Sequence, residues 1–421
     1  MRILICASDV PFPPSNTGFR RQLMGLVPEL GRRHDVRLIG YRMPGQSADG
    51  AIDADMRIVD YRRPTVVENA RDLALAMLRR RPLRAERLVG GLVEPLREEL
   101  ARFEPDLVHV GPGKLSGLKR ELQGMPKILM VMDTWHLNVD ARADAATGLR
   151  RALLRADAQR IRRYEQREYR GFDRVVVSNQ GDLAELRERD PILPFAVIPI
   201  GFDAGAYAPD PAAPVDPNRI IFHGAMSYAP NVRTVEFLAR DVLPRVRARK
   251  PEAHLVIVGR DPDPRVLELE TLDGVHVTGG VEDMRAWLTR SRVWAGPFLD
   301  GTGIKTKLLE AMATDLPCVV TPLGHRGLDD VTSGEELLVG STAEELAAHL
   351  VRVLEDEDLA RRIGRTGGEY VRPRYDWPAV GRLPRHVVDA FEDVVRAERR
   401  PARTFRLAHE HLHDRHGIEP P

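Results

Sequence analysis

Short apolar runs alternate along the chain with segments of helical periodicity, and this alternation restricts the fold more than any other feature. Ile3–Ala7 is short and apolar enough for a strand buried on both faces. A Pro-, Ser- and Gly-rich loop from Pro11 to Gly18 follows it. Leu23, Leu26, Val27 and Leu30 then recur at helical spacing, and Val36–Tyr41 reads as a second strand. Leu107–Val110, Ile128–Met132, Val175–Ser178 and Ala196–Ile200 continue the series, most of them separated by helical patterns. A parallel sheet covered on both faces is the economical solution for such a sequence.

The pattern breaks once. Pro199, Pro209, Pro211, Pro214 and Pro217 stand among alanines and aspartates, a composition expected of a linker with little to bury. The alternation then restarts with Ile220–His223, a helix from about Val232 to Arg249, and Leu255–Gly259. Val275–Thr278, Val293–Phe298 and Cys318–Thr321 follow, with helices near Asp283–Arg290 and Lys305–Ala313. The expected organisation is therefore a first α/β domain over 1–198, a linker over 199–217 and a second α/β domain over 218–375. A mainly helical segment and polar tail, 376–421, should cross back. A chain of 421 residues exceeds one ordinary core, which agrees with two. Ligands in such sheets sit beyond the carboxyl ends of the strands, so two facing halves place the site in the cleft between them.

Charge and cysteine content narrow the function classes. The formal net charge is +1, so no global field draws the chain to nucleic acid or a membrane. Cys6 and Cys318 each lie in an apolar run and are expected as reduced, buried thiols, which suits a cytoplasmic protein. The apolar run at the start is too short for a signal peptide, and no stretch approaches the ~18 residues of a spanning helix. Arg142–Arg170 is heavily basic, with Leu149, Leu153 and Leu154 interspersed, and Arg79–Arg81 is a second cluster. Both are candidates for peripheral contact with anionic lipid at the inner face of a membrane, and a solvated helix face is the plainer account.

The most informative stretch runs from Gly296 to Ala313, Gly-Pro-Phe-Leu-Asp-Gly-Thr-Gly-Ile-Lys-Thr-Lys-Leu-Leu-Glu-Ala-Met-Ala. Gly301 and Gly303 allow close backbone approach, and the free amides of the helix start favour an anion. Lys305 and Lys307 add positive charge there, and Glu310 can accept hydrogen bonds from a ribose diol. Leu308, Ala311 and Met312 can face the core while Lys307, Glu310 and Thr314 share the other side. Together these suit a nucleoside diphosphate. Spacing alone also fits an ordinary surface helix with an exposed Lys–Glu pair.

This stretch resembles the donor-site motif of the retaining GT-B glycosyltransferases of family 4, in the branch with Gly-x-Gly-Ile-Lys-x-Lys-x-Leu-Glu-Ala-Met-Ala. Further segments fall in that family's order: the Met1–Ala7 strand with Pro13-Pro14, Phe172–Ser178, Ile198–Asp203, His223–Asn231, Leu255–Arg260 and Val277–Val281. The resemblance implies a GT-B fold and a nucleotide-sugar donor, UDP-linked before GDP-linked. It implies a hydroxyl acceptor (glycan, lipid-linked or natural product), retention of configuration, and no metal ion or other cofactor. By the same resemblance Gly301, Thr302, Gly303, Ile304, Lys305, Lys307 and Glu310 hold the donor. Gly224, Arg260 and Val281 join them, with Gly18 and its neighbours Asn16 and Thr17 near the phosphates or acceptor. Many members carry two glutamates eight positions apart; Glu310 matches the second, and Thr302 stands at the first. The basic pair common after the first strand of the second domain is missing from Ala225–Asn231, so the lysines and amides take the phosphate load.

On the acceptor side, His109, Asp133 and His136 are the polar groups expected at strand ends, and Asp133 or His136 can serve catalysis. A histidine closing a strand is as readily structural. His409–His413 spells H-E-x-x-H at the end of the sequence, without the surrounding core and third ligand that a zinc protease requires. No phosphate loop of the G-x-x-x-x-G-K-[ST] type and no G-x-G-x-x-G after the first strand occurs, which argues against ATPases and dehydrogenases. A nucleotide-sugar epimerase on the same scaffold and a non-catalytic nucleotide-binding member are the alternatives.

Overall fold

The computed structural model describes residues 1–12, 18–46, 55–62, 64–132, 134–144, 146–300 and 303–377. Asn16, Thr17, Asp133, Gly301, Thr302 and everything after Trp377, including His409–His413, lie outside the described residues.

In chain order the first domain comprises β1 (Arg2–Ala7), α1 (Gly18–Gly31), β2 (Asp35–Arg42), β3 (Asp55–Asp60), α2 (Val66–Leu78), α3 (Leu83–Gly90) and α4 (Val93–Phe103). β4 (Leu107–Gly111), β5 (Lys127–Val131), α5 (Trp135–Asp144), α6 (Gly148–Tyr169), β6 (Arg174–Val177), α7 (Gln180–Arg189) and β7 (Phe195–Val197) complete it. The second domain opens with β8 (Arg219–His223), α8 (Ala229–Phe237), α9 (Leu243–Arg247), β9 (His254–Val258), α10 (Pro264–Glu268) and β10 (Val275–Gly279). α11 (Met284–Thr289), β11 (Val293–Gly296), α12 (Thr306–Ala313), β12 (Cys318–Val320), β13 (Leu338–Val339), α13 (Ala343–Glu355) and α14 (Glu357–Tyr375) follow.

The strand order is β3-β2-β1-β4-β5-β6-β7 in the first sheet and β10-β9-β8-β11-β12-β13 in the second. Every pairing in both is parallel. Each order reverses once, between β1 and β4 and between β8 and β11, and such switch points are where open parallel sheets bind ligands. In β1, Leu4 and Cys6 point into one apolar layer while Ile3, Ile5 and Ala7 point into the other, as strand alternation requires. Both cysteines are buried and free, and burial pushes the Cys6 thiol up to about 12.

Two strands escape the apolar pattern for physical reasons. β3 is an edge strand, half exposed, and its Asp-Met-Arg-Ile-Val-Asp sequence carries charge at both ends and in the middle. β13 is only two residues long. The expected helix over Val232–Arg249 is present as α8 and α9, joined by a π turn at Leu238–Val242 just ahead of Pro244, whose missing N–H breaks the α ladder.

The joining segment differs from expectation. Apart from a 3-10 turn at Gly205–Tyr207 it has no helix or strand, but Ile200, Phe202 and Ala204 are buried in the second domain's core. Phe202 donates its N–H to Tyr375 and accepts from Trp377, so the outgoing and returning chains run side by side. Trp377 then packs onto the first domain: a Cβ at Gly25 of α1 or at Gly201 would lie 2.0 or 2.5 Å from its ring, and only glycine fits.

Candidate functional site

α12 is buried on every side, because the helix sits over the second sheet with α14 and the joining segment against its remaining faces. That replaces the surface-helix alternative and the division into one apolar and one polar face: Leu308 to Ala313 are all buried, Glu310 among them. A carboxylate in such a place must be paired. Glu310 Oε2 lies 2.8 Å from Nε2 of His223, the last residue of β8, and Nδ1 of His223 accepts from Trp294 Nε1 at 3.0 Å. Since the indole only donates, the His223 Nδ1 is the acceptor and its Nε2 carries the proton toward Glu310. The other carboxylate oxygen is met by Arg21 of α1, which also donates to Thr306 Oγ1 at 3.2 Å. Burial alone would raise the Glu310 pKa, but Arg21 and His223 outweigh it and bring the carboxyl down to about 2.

Two lysines flank this carboxylate. Lys305 is buried, donates to the Gly303 carbonyl at 2.9 Å and lies 5.7 Å from the Phe298 ring centre. Lys307 lies 5.2 Å from the same ring, and burial lowers its ammonium to about 8 despite the opposing pull of Glu310. Gly224, with φ of 154°, leaves room for Lys307: a Cβ there would come 2.9 Å from Lys307 Cε and 2.7 Å from Asn231 Nδ2. Gly303 also adopts a left-handed φ of 70°, which turns the chain into α12. Gly224, Gly303, Lys305, Lys307 and Glu310 are thus brought together beside the β8/β11 switch point. Ile304 is half-buried next to Gly327. Arg260 is exposed after β9 and packs on Gly280, with the half-buried Val281 beside it, so these form a neighbouring corner.

The first domain closes over the constellation at two points. One is Arg21 on Glu310. The other is the turn into α7, where Asn179 caps the helix and its Cβ comes within 3.3 Å of a Cβ built at Gly327. Asp182 there accepts from Asn179 at 2.7 Å and from Thr134 at 3.3 Å. Burial raises its pKa, against the lowering effect of those bonds and of Arg326 and Lys305 across the gap. Gly18, at the start of α1, lies against Ile200 and Met132. Tyr207 of the joining segment completes the surroundings; burial first and Glu310 second push its phenol up.

Two residues expected on the acceptor side are placed differently. His109 is enclosed within β4, facing neither strand end nor solvent, and burial lowers its pKa to about 4, so it is neutral. His136 is 1% exposed, with Glu165 of α6 on Nδ1 and Arg189 of α7 on Nε2. Glu165 also receives the Trp135 amide at 2.9 Å. With both nitrogens occupied, His136 ties three helices together and offers nothing to a hydroxyl. Arg21 and His223 are the site residues that the sequence reading missed. His223 had a signal: it is a polar residue closing a buried strand directly before a glycine. Among the described residues no group of three or more His, Cys, Asp or Glu comes together that could hold a metal ion.

Two parallel-sheet domains joined in this way, each sheet reversing its order once, define a GT-B scaffold. Residues 217–356 match the family model described as Glycosyl transferases group 1. A phosphatidyl-myo-inositol mannosyltransferase of Mycolicibacterium smegmatis is 31% identical over 217 residues, 49% of this chain and 54% of that protein. The chain spans 35% and 54% of the length of the first two curated relatives it matches. Sucrose-phosphate synthase from Thermosynechococcus elongatus has a similar fold, with a TM-score of 0.67 at 17% identity over 93% of this chain and 100% of that one. Anabaena HepE in complex with UDP-glucose superposes with a TM-score of 0.61 at 13% identity, over 92% and 99% of the two chains.

Proposed function

We propose that the protein is a glycosyltransferase that moves a sugar from a nucleoside diphosphate sugar, UDP-linked before GDP-linked, to a hydroxyl acceptor, with retention and without a metal ion. The observation that carries this reading is Glu310, a buried carboxylate held ionised at the switch point between an arginine and a histidine, with two lysines at the start of its helix. A carboxylate offers about four lone-pair positions. Arg21 and His223 take two, which leaves two for the hydroxyls of a ribose.

Lys305, Lys307 and the amides around Gly303 and Ile304 then carry the diphosphate, and their fixed positive charge stabilises it as it leaves. Gly301 and Thr302 belong to the same loop, Gly18 approaches from the first domain, and Gly224 keeps the floor open for Lys307. On this reading Val281, Gly280 and Arg260 meet the base. UDP is favoured by the likeness to HepE, a protein crystallised with UDP-glucose. A lipid-linked acceptor is favoured by the relatives that act on phosphatidyl-myo-inositol.

A thermal-shift panel of UDP, GDP, ADP, TDP and CDP, with and without EDTA, tests the reading, because a ligand of the native state raises the midpoint with its occupancy. One diphosphate should shift the midpoint indifferently to EDTA. A panel without any shift would remove the donor assignment.

A further inference from the structure

α2 is an inside-out helix. Val66, Ala70, Leu73 and Met77 recur at i, i+4, i+7 and i+11 and share one face, flanked by Val67 and Leu78. That face meets water: Val66 is 84%, Met77 64% and Leu78 81% exposed. Toward the protein the helix presents Asp72 and Ala76, and Arg87 holds it from behind through Asp72 and Asn69. A helix of a water-soluble surface is built the other way round.

The neighbouring helix supplies the complementary feature. On α6, Leu149, Leu153, Ala156, Arg160, Arg163 and Arg167 share one face, apolar at its beginning and cationic toward its end. Between α2 and α6 runs a groove of about 570 Å³, lined by Met77 and Ala156 and by Arg80, Arg160, Arg163 and Arg167. Among the described residues Arg80 and Arg163 pair with no carboxylate, and Arg160 reaches only Asp157, at 3.8 Å. Arg155 and Arg162 of the same helix differ, since they are paired with Asp140 and Asp144 of α5. Seven of the thirteen exposed large apolar side chains among the described residues belong to α2 and α6.

We infer that the α2–α6 face docks on an anionic phospholipid leaflet, the α2 stripe lying in the interface and a headgroup phosphate seated in the arginine groove. Charge complementarity selects this occupant. A purely apolar protein partner would leave the exposed Arg80 and Arg163 without counter-charge, and a soluble anion would leave the apolar stripe uncovered. The inference uses no residue of the donor site and stands apart from that reading.

Co-sedimentation of the full chain with phosphatidylglycerol–phosphatidylcholine vesicles, against pure phosphatidylcholine, is the test. Binding should need the anionic lipid and weaken with salt. Arg160→Ala with Arg163→Ala should lower partitioning about 25-fold, at about fivefold per arginine. Leu73→Glu with Met77→Glu should lower it about tenfold or more. All four side chains project into solvent, and an unchanged circular dichroism spectrum and unchanged nucleotide-induced thermal shift would certify the fold. No vesicle binding at low salt overturns the inference. So does binding that survives both double variants, or a thermal shift by glycerol phosphate that depends on the arginines while vesicles are ignored.

Discussion

The two domains share one strand order and use their buried charges differently. In the second, ionisable groups converge on the sheet's switch point, where Glu310, His223, Lys305 and Lys307 share one enclosed corner. In the first, a buried cluster, His136–Glu165–Arg189, lies among α5, α6 and α7 and is internally satisfied. On the proposed reading Glu310 keeps lone pairs for a ligand, whereas the partners of Glu165 and His136 are complete.

The sharpest way to break this comparison is to remove one member of each cluster. Glu310→Ala should cost donor turnover about 100-fold or more, since hydrogen bonds to a charged group contribute about 1.5–3 kcal/mol each. Glu310→Gln should recover part of that and confirm that the corner still folds. Unchanged transfer and donor hydrolysis in both variants would remove the carboxylate from the site. His136→Ala should act on stability instead. Leaving Glu165 buried without its partner costs about 3 kcal/mol, read as a lower denaturant midpoint, while turnover per folded molecule holds. Lost turnover with an unchanged midpoint would make His136 a functional group after all.

A pH series sharpens the picture of the second domain. Lys307 is depressed to about 8 by burial, so its ammonium persists below that pH and is lost as pH rises through it. Affinity for the nucleoside diphosphate should be level near neutrality and about tenfold weaker at about pH 9. Lys307→Arg, which keeps its charge, should flatten the profile; a wild-type profile already flat to pH 9 would count against Lys307 as a phosphate ligand. The smallest effects come from paired helix caps, Thr65 on α2 and Thr342 on α13. Each Thr→Ala should cost about 1 kcal/mol. If the domains unfold separately, calorimetry will show each substitution moving only its own transition; a common shift would mean the two cores melt as one.

Sequence alone made the second domain more legible than the first, for reasons of distance along the chain. The strand runs, the turn at Gly303 and the groups Lys305, Lys307 and Glu310 belong to one continuous stretch, so local pattern suffices. The partners that define the chemistry do not: His223 is 87 residues from Glu310, and Arg21 is 289 residues away in the other domain. The rule that singled out His109 and His136, a polar residue closing a strand, also describes His223, whose Nε2 faces Glu310. It failed for His109 because the strand continues past it, and for His136 because α6 delivers Glu165 to it. The α2 stripe was equally out of reach, since periodicity reveals an apolar face without revealing which way it turns.

The paired crossing at Phe202 and Trp377 has a mechanical consequence. A single covalent tether leaves one body three rotations relative to the other. Here two chains cross side by side, joined by Phe202 N–H to Tyr375 and Trp377 N–H to Phe202 and pinned by an indole seated on Gly25 and Gly201. Twisting or rocking across that ribbon would shear its hydrogen bonds, whereas bending along it would not. The joint is therefore stiffer about two axes than about the third.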